Sequence, residues 1–280
     1  MEPPFAQTED LSLNTQIVRK ILVDFLRDGI HRSGFQKGVL GLSGGVDSSV
    51  AAYLAAEALG PDNVFGLILP YRTSNPESKA DAELVAKALG IRTEVVDISP
   101  MVDAHFGREG LRERVRKGNI MARERMVVLY DVSSRENALV IGTSNKTETL
   151  LGYGTLYGDM ACALNPLGDL YKTQVWQLAG AIGVPKSIIE KPPSADLWEG
   201  QSDEQELGFA YKDADRLLYH LVDERKSGAE LETMGFGKQF IERVQLLVSR
   251  NQFKRRPPLV PKISNRTTNI DFLYPRDWGI

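Results

Sequence analysis

A glycine-rich turn in the first quarter of the chain carries residue types that bind phosphate. Its members are Gly41, Leu42, Ser43, Gly44, Gly45, Val46, Asp47 and Ser48. Adjacent glycines allow the backbone to wrap closely around an anion, and the two serines add hydroxyl donors. A helix that begins in this turn also directs its free N–H groups and the positive end of its dipole at the anion. The turn therefore predicts a phosphate-binding loop.

Asp47 predicts a cation beside that phosphate. The turn has no lysine, unlike the GxxxxGK[ST] loop of many nucleotide-binding proteins, and it does not match GxGxxG. A carboxylate next to a polyphosphate is repelled unless a divalent cation neutralises both, and Mg²⁺ takes such oxygen ligands. The alternative without function is a strand-to-helix turn in which Asp47 only caps the helix.

The same turn also matches the nucleophile elbow GxSxG, which would make Ser43 an acyl-transfer nucleophile. That hypothesis needs a general base late in the chain, and His220 is the only histidine there. His220 lies in an amphipathic helical stretch, and the hypothesis leaves Asp47 and Ser48 without roles. Phosphate binding is the favoured hypothesis.

Alternating strands and helices position the turn. Short apolar runs predict strands at residues 37–43, 63–70, 93–98 and 138–142. Apolar spacing predicts helices at residues 11–30, 48–59, 76–89, 119–132, 172–182, 213–225 and 238–253, with a polar stretch at 105–118. This alternation is typical of an α/β fold, an open parallel sheet of about five strands with helices on both faces. Such sheets bind ligands at the carboxyl ends of their strands, where the turn lies.

The composition excludes several classes of protein. The 280 residues are 42 % hydrophobic and 25 % charged, which excludes a disordered or fibrous chain. No apolar run is long enough for a membrane span, and the N-terminus lacks the features of a signal peptide, so we expect a cytoplasmic protein without a membrane partner. A net charge of −3 argues against a nucleic-acid partner. A single cysteine, Cys162, and three scattered histidines predict no zinc site.

One polar segment, residues 191–206, has the makeup of a surface loop. It combines two prolines, a glycine and five acids with only Leu197 and Trp198 as apolar anchors. A loop of this length is often functional, and this one is predicted to close over a site. An ordinary exposed connection is the alternative.

Short motifs follow one another across most of the chain. They are SGGVDS at residues 43–48, GNIMARERM at 118–126, IGTSNKTE at 141–148, YGD at 157–159, NPL at 165–167, KT at 172–173, PSADL at 193–197 and KRRPP at 254–258. The set resembles NAD synthetases, which belong to the N-type ATP-pyrophosphatase superfamily. The resemblance covers residues 11–258 and implies one domain over 1–280, with an extended tail at 259–280. It also implies a Rossmann-like fold of the adenine nucleotide alpha hydrolase type.

The resemblance implies a ligase that uses ATP and Mg²⁺. ATP would adenylate the nicotinate carboxylate of deamido-NAD, and ammonia would then displace AMP to give NAD. By family position, Asp47 and Glu148 would hold Mg²⁺, and the turn at 41–48 with Thr143, Lys172 and Ser194 would bind ATP. Two carboxylates are a reasonable protein share for Mg²⁺, which keeps waters and phosphate oxygens.

The resemblance also assigns the second substrate. Arg123 and Lys254 would contact deamido-NAD, and Asp159 would orient ammonia, completing a catalytic set of Asp47, Glu148, Asp159 and Lys172. Leu156 and Ala163 stand where relatives have a lysine and an aspartate that contact the substrate, so those two contacts are not carried over.

The resemblance implies free ammonia as the nitrogen donor, because only about 36 residues precede the first strand and no amidase domain fits there. It also implies a homodimer. The alternatives are a GMP-synthetase-like or tRNA-modifying enzyme of the same superfamily, or a non-enzymatic ATP-binding regulator.

Overall fold

A parallel four-stranded sheet forms the centre of the computed structural model, which describes residues 11–109, 114–198, 200–268 and 271. The strands are β1 Lys37–Gly41, β2 Val64–Ile68, β3 Arg92–Val95 and β4 Ala138–Val140. Their order across the sheet is β3-β2-β1-β4, and every neighbouring pair is parallel. The predicted α/β class is confirmed, with four strands in the described chain where about five were expected. One isolated parallel bridge, Ile141 to Leu164, continues the β4 edge.

Helices connect and follow these strands. They are α1 Thr15–His31, α2 Val46–Leu59, α3 Pro76–Leu89, α4 Ser99–Glu109, α5 Arg114–Glu136, α6 Lys146–Leu151, α7 Lys172–Ile182, α8 Lys186–Ile189, α9 Asp203–Leu207, α10 Tyr211–Leu218, α11 Gly228–Thr233 and α12 Lys238–Arg250. A π-helical turn follows α10, and a 3₁₀ turn follows α12. In the described chain, no helix is both long enough and apolar enough to cross a membrane.

Strands β1 and β2 are buried on both faces of the sheet, whereas β3 at its edge is largely exposed. Leu40 of β1 packs into one hydrophobic cluster with residues of α1, α2 and α7, whereas the adjacent Val39 packs into a second cluster with residues of α4 and α5. Successive strand side chains point to opposite faces, so one strand feeds both clusters. The predicted placement of helices on both faces is confirmed.

Part of the polar stretch at 105–118 is helical, and residues 110–113 lie outside the described residues. Helix α4 reaches Glu109, and α5 begins at Arg114, five residues before its predicted start. Ile98, Val102 and Phe106 recur at four-residue steps and pack against the second cluster. That narrow apolar stripe is enough for an amphipathic helix, although polar residues dominate the stretch.

Candidate active site

The reversal of strand order places two segments side by side. From β1 the chain moves outward to β2 and β3, then returns to pair β4 with the other side of β1. Ligands of open α/β sheets bind in the crevice at such a switch point, outside the carboxyl ends of the strands. The glycine turn follows β1, and the segment that leads into α6 follows β4. The topology therefore brings both segments to one crevice.

The glycine turn is held by close packing and by its own hydroxyls. Gly44 has φ +77°, and a Cβ there would lie 2.1 Å from the carbonyl oxygen of Ser78 in α3, so only glycine fits. Ser43 and Ser48 place their hydroxyl oxygens 3.0 Å apart. The Gly45 amide lies 3.3 Å from the Ser43 hydroxyl, to which it donates. The turn is thus preshaped as it opens helix α2.

Asp47, Glu148 and Lys172 meet beside this turn, and we call them the acid–lysine cluster. The Lys172 ammonium donates to Asp47 Oδ2 in a short contact and lies 3.4 Å from Glu148 Oε1. Lys172 is only 3 % exposed. The three residues come from the first turns of α2, α6 and α7. Of the predicted site residues, the structure joins these three directly.

Sequence reasoning assigned no role to Asn145, which organises the cluster. Its Oδ1 accepts from the Glu148 amide at 2.9 Å, and its Nδ2 donates to Asp47 Oδ1 at 2.9 Å. Glu148 returns a carboxylate oxygen to the Asn145 amide at 3.2 Å, which completes a capping box at the start of α6. The capping pattern at Asn145 and Glu148 could have predicted the start of α6 from the sequence. Nothing in the sequence indicates that Asn145 also contacts Asp47.

Burial and the neighbouring charges shift the pKa values of the cluster. Burial and the negative charge of Asp47 raise the pKa of Glu148 to about 8. Burial disfavours the charge of Lys172, but Asp47 and Glu148 outweigh burial and raise the pKa of its ammonium. The Lys172 ammonium also lies 5.3 Å from the centre of the Tyr211 ring. The carboxylates of Asp47 and Glu148, with 17 % and 16 % of their side chains exposed, therefore share one buried cation.

A second group of predicted residues surrounds residues 152–159, which we call the carbonyl loop. Lys254 donates to the carbonyl oxygens of Gly152 and Gly154, each at 2.8 Å. Arg123 donates to the carbonyl of Leu156 at 3.3 Å from two of its nitrogens. Asp159 accepts from the Thr155 amide at 2.9 Å. The structure thus brings Arg123, Lys254 and Asp159 to one loop.

The remaining predicted residues lie outside both groups. Thr143 is half-buried just after β4. Ser194 is exposed, and its hydroxyl accepts from the Asp196 amide at 3.1 Å within the same loop. Ala163 is exposed near the end of β4. The Ser43 hydroxyl pairs with that of Ser48, and His220 pairs with Glu224 at 2.8 Å.

The segment at 191–206 contacts the edge of the crevice. Asp196 accepts from the Asn75 amide at 3.0 Å, just before α3, and Lys191 pairs with Asp81 of α3 at 2.8 Å. Asp203, which is 4 % exposed, accepts from the Tyr153 hydroxyl at 2.9 Å and from the Ala195 amide at 3.0 Å. These contacts tie the segment to the helix that packs on the glycine turn.

The fold and the cluster define an α/β protein of the type that holds ligands at the carboxyl ends of a parallel sheet. The NAD synthase family matches residues 18–258. The NH(3)-dependent NAD(+) synthetase of Trichlorobacter lovleyi is 59 % identical over 269 residues, which is 96 % of this chain and 98 % of that protein.

Two solved structures resemble the fold at 34 % sequence identity, and each comparison covers 90 % of this chain and 100 % of the other. They are the NH3-dependent NAD synthetase of Campylobacter jejuni, with a TM-score of 0.78, and the NMN synthetase of Francisella tularensis, with a TM-score of 0.80. The chain belongs to the NAD synthase family. The family and ligase class expected from the sequence are confirmed.

Proposed function

We propose that this chain catalyses the ATP- and Mg²⁺-dependent amidation of deamido-NAD by ammonia, giving NAD, AMP and pyrophosphate. The observation that carries the proposal is the meeting of Asp47, Glu148 and Lys172 beside the glycine turn, in a chain that belongs to the NAD synthase family. A carboxylate is a poor acyl electrophile. Its oxygen attacks the α-phosphorus of ATP and expels pyrophosphate, and ammonia then attacks the acyl carbon and expels AMP. Both steps depend on positioning and charge neutralisation more than on a protein nucleophile.

The acid–lysine cluster fits a magnesium ion. Oxygens of Asp47 and Glu148 both converge on one ammonium, so they already face a shared cation. No group of three or more metal-binding side chains occurs in the described residues. Two carboxylates suit an ion that takes its other ligands from water and phosphate, and bound Mg²⁺ would neutralise charge on the phosphates. Asn145 would keep Asp47 oriented toward the ion.

ATP would lie along the glycine turn. Amides at 41–48 and the first turn of α2 would face its phosphates. We assign to the Lys172 ammonium the stabilisation of the negative charge that develops as pyrophosphate departs. Thr143 and Ser194 would also bind the nucleotide, and Ser194 lies on a segment that is tied to α3 through Asp196.

Deamido-NAD would lie at the carbonyl loop. Arg123 and Lys254 are cations suited to its pyrophosphate, and both flank this loop. Asp159 would accept hydrogen bonds from ammonia. Leu156 and Ala163 provide no charged contact, so we assign dinucleotide binding to the two cations and to loop backbone.

We also propose the setting of the enzyme. The chain forms one domain over 1–280, acts in the cytoplasm and assembles as a homodimer. Val115, Val127 and Tyr130 are exposed apolar residues along α5, the helix that also carries Arg123, and they supply a face for a second copy. Sedimentation equilibrium at micromolar concentration tests the dimer.

The reaction is tested by mixing the purified chain with ATP, Mg²⁺, ammonium and deamido-NAD. We expect NAD, AMP and pyrophosphate in equal amounts, with turnover lost when Mg²⁺ is chelated. Release of ADP in place of AMP contradicts the mechanism. Asp47→Asn should lower kcat by about 100-fold or more with the fold intact, because it removes a charge that faces the cation. Asp62→Asn, on an exposed turn, is the matched control and should keep full turnover.

Nicotinate mononucleotide is the second acceptor to assay. The Francisella protein described as an NMN synthetase is as similar in sequence as the Campylobacter NAD synthetase. We expect kcat/KM to favour deamido-NAD. A reversed preference would assign the chain to amidation of the mononucleotide and leave the chemistry of the acid–lysine cluster unchanged.

A further inference from the structure

Asp215 is a fully buried carboxylate to which the proposed reaction gives no role. It lies on α10, is 0 % exposed and has no place in the sequence motifs that define the site. Burial of a carboxylate is costly unless hydrogen bonds offset it. The partners of Asp215 therefore indicate what its burial achieves.

Those partners are two threonines next to the acid–lysine cluster. Asp215 Oδ1 accepts from the Thr147 hydroxyl at 2.5 Å. Asp215 Oδ2 accepts from both the amide and the hydroxyl of Thr173, at 2.7 and 2.8 Å. Thr147 directly precedes Glu148, and Thr173 directly follows Lys172. One carboxylate thus holds the starts of α6 and α7.

A relay through Thr147 closes this network. The Thr147 hydroxyl that donates to Asp215 also accepts from the Lys172 amide at 3.0 Å. The backbone of Lys172 is therefore fixed relative to the residue before Glu148. One turn earlier on α10, the Tyr211 ring faces the Lys172 ammonium. Helix α10 therefore contacts the cluster and its neighbouring threonines through Tyr211 and Asp215.

We infer that Asp215 is a positioning residue that sets the separation of Glu148 and Lys172 around the cation and the triphosphate. A misplacement of about 1 Å at a reacting centre can cost on the order of 100-fold in rate. The effect that we expect on kcat rests on the proposed function. The effect that we expect on nucleotide binding does not depend on which acceptor substrate the enzyme uses.

A role in folding alone does not account for this choice of residue. Burial raises the pKa of Asp215 to about 6, although Thr147, Thr173 and Lys172 oppose that rise. The ionised form therefore reduces stability at neutral pH, and a neutral side chain of the same size would serve a purely structural purpose better. The carboxylate accepts from three donors at once, which an amide of the same shape cannot reproduce in full.

The test compares Asp215→Asn with Asp213→Asn on the complete chain. Asp213 is exposed on the same helix, so the control makes the same chemical change two residues away. For Asp215→Asn we expect kcat to fall at least tenfold and KM for deamido-NAD to stay within twofold. We also expect the dissociation constant of Mg·ATP, measured by calorimetry without the second substrate, to rise at least fivefold. Asp213→Asn should match the parent in all three quantities.

A second pair of variants removes or keeps the relay. Thr147→Val has the same shape without the hydroxyl, and Thr147→Ser retains it. Valine should reproduce the loss in kcat and in Mg·ATP binding, and serine should restore both to within about threefold of the parent.

Unchanged kcat and unchanged Mg·ATP binding in Asp215→Asn would overturn the proposal. A lower melting temperature would also overturn it if kcat and Mg·ATP binding, expressed per folded molecule, stayed at the parent values. If the parent binds Mg·ATP but forms no NAD, the proposed function fails, and the effect on Mg·ATP binding still decides the role of Asp215.

Discussion

The acid–lysine cluster and the carbonyl loop are built from opposite kinds of contact. In the cluster, side chains meet side chains, with Asp47 and Glu148 both on the ammonium of a buried lysine. Around the carbonyl loop, the cations Lys254 and Arg123 donate to main-chain carbonyl oxygens instead. Arg123 is exposed and Lys254 is only half-buried.

The two regions therefore differ in how far their charges are neutralised by protein partners. Buried charges must be paired, so each member of the cluster fixes the identity of the others. A carbonyl oxygen carries only a partial charge, so Lys254 and Arg123 keep net positive charge available for an anionic ligand. We therefore expect the cluster to tolerate little change and the loop to allow variation among substrates.

The largest expected effect is on the free energy of unfolding, through the buried carboxylate of Asp215 next to the cluster. The pKa of Asp215 is about 6 in the folded chain against an ordinary value of 3.8. The folded state then binds more protons between those values, so the contribution of Asp215 is present below about pH 4 and lost as pH rises through about 6. The loss should be about 3 kcal/mol. The free energy of unfolding in urea, taken as the parent value minus the Asp215→Asn value, should show most of this loss between pH 4 and pH 7.

The control for this titration is Asp213→Asn, whose difference from the parent should be nearly flat over the same range because Asp213 is exposed. Equal slopes for the two variants would show that the buried carboxylate does not titrate as its surroundings indicate, and the contrast between the regions would weaken.

The next effect is in the glycine turn. Gly44→Ala combines φ +77° with a Cβ 2.1 Å from the Ser78 carbonyl oxygen, so either the turn or α3 must move. We expect kcat/KM for ATP to fall on the order of 100-fold. Gly60→Ala is the matched control, with φ +83° and nothing within 4 Å of the added Cβ. It should cost about 1–3 kcal/mol of stability and leave kcat/KM unchanged. Equal kinetic losses would mean that backbone strain, not crowding, governs the turn.

The sequence predicted the turn because its signals are local. A buried strand, two glycines and a helix start fall within a dozen residues, and they place Asp47 without any knowledge of the rest of the fold. Glu148 and Lys172 needed the family resemblance, because no local pattern relates them to Asp47.

Residues that connect distant segments were missed. Asn145 is 98 positions from Asp47, and Asp215 is 68 positions from Thr147. Their partners are set by the strand order and by the packing of α10, neither of which leaves a periodic trace in the sequence. Local patterns predicted the sheet and most helices, but α4 was missed because its apolar stripe is only one residue wide.

The smallest of the three effects is predicted for the carbonyl loop. Lys254→Ala removes two hydrogen bonds to the carbonyls of Gly152 and Gly154, together with a cation assigned to deamido-NAD. Because the loop backbone remains and Arg123 still donates to Leu156, we expect KM for deamido-NAD to rise about tenfold, which is 1.4 kcal/mol. KM for ATP should stay within twofold. Lys262→Ala, an exposed lysine paired with Asp271, should change neither constant. If Lys254→Ala raised KM for ATP as much as KM for deamido-NAD, the two regions would act as one site, and the division of labour between them would be wrong.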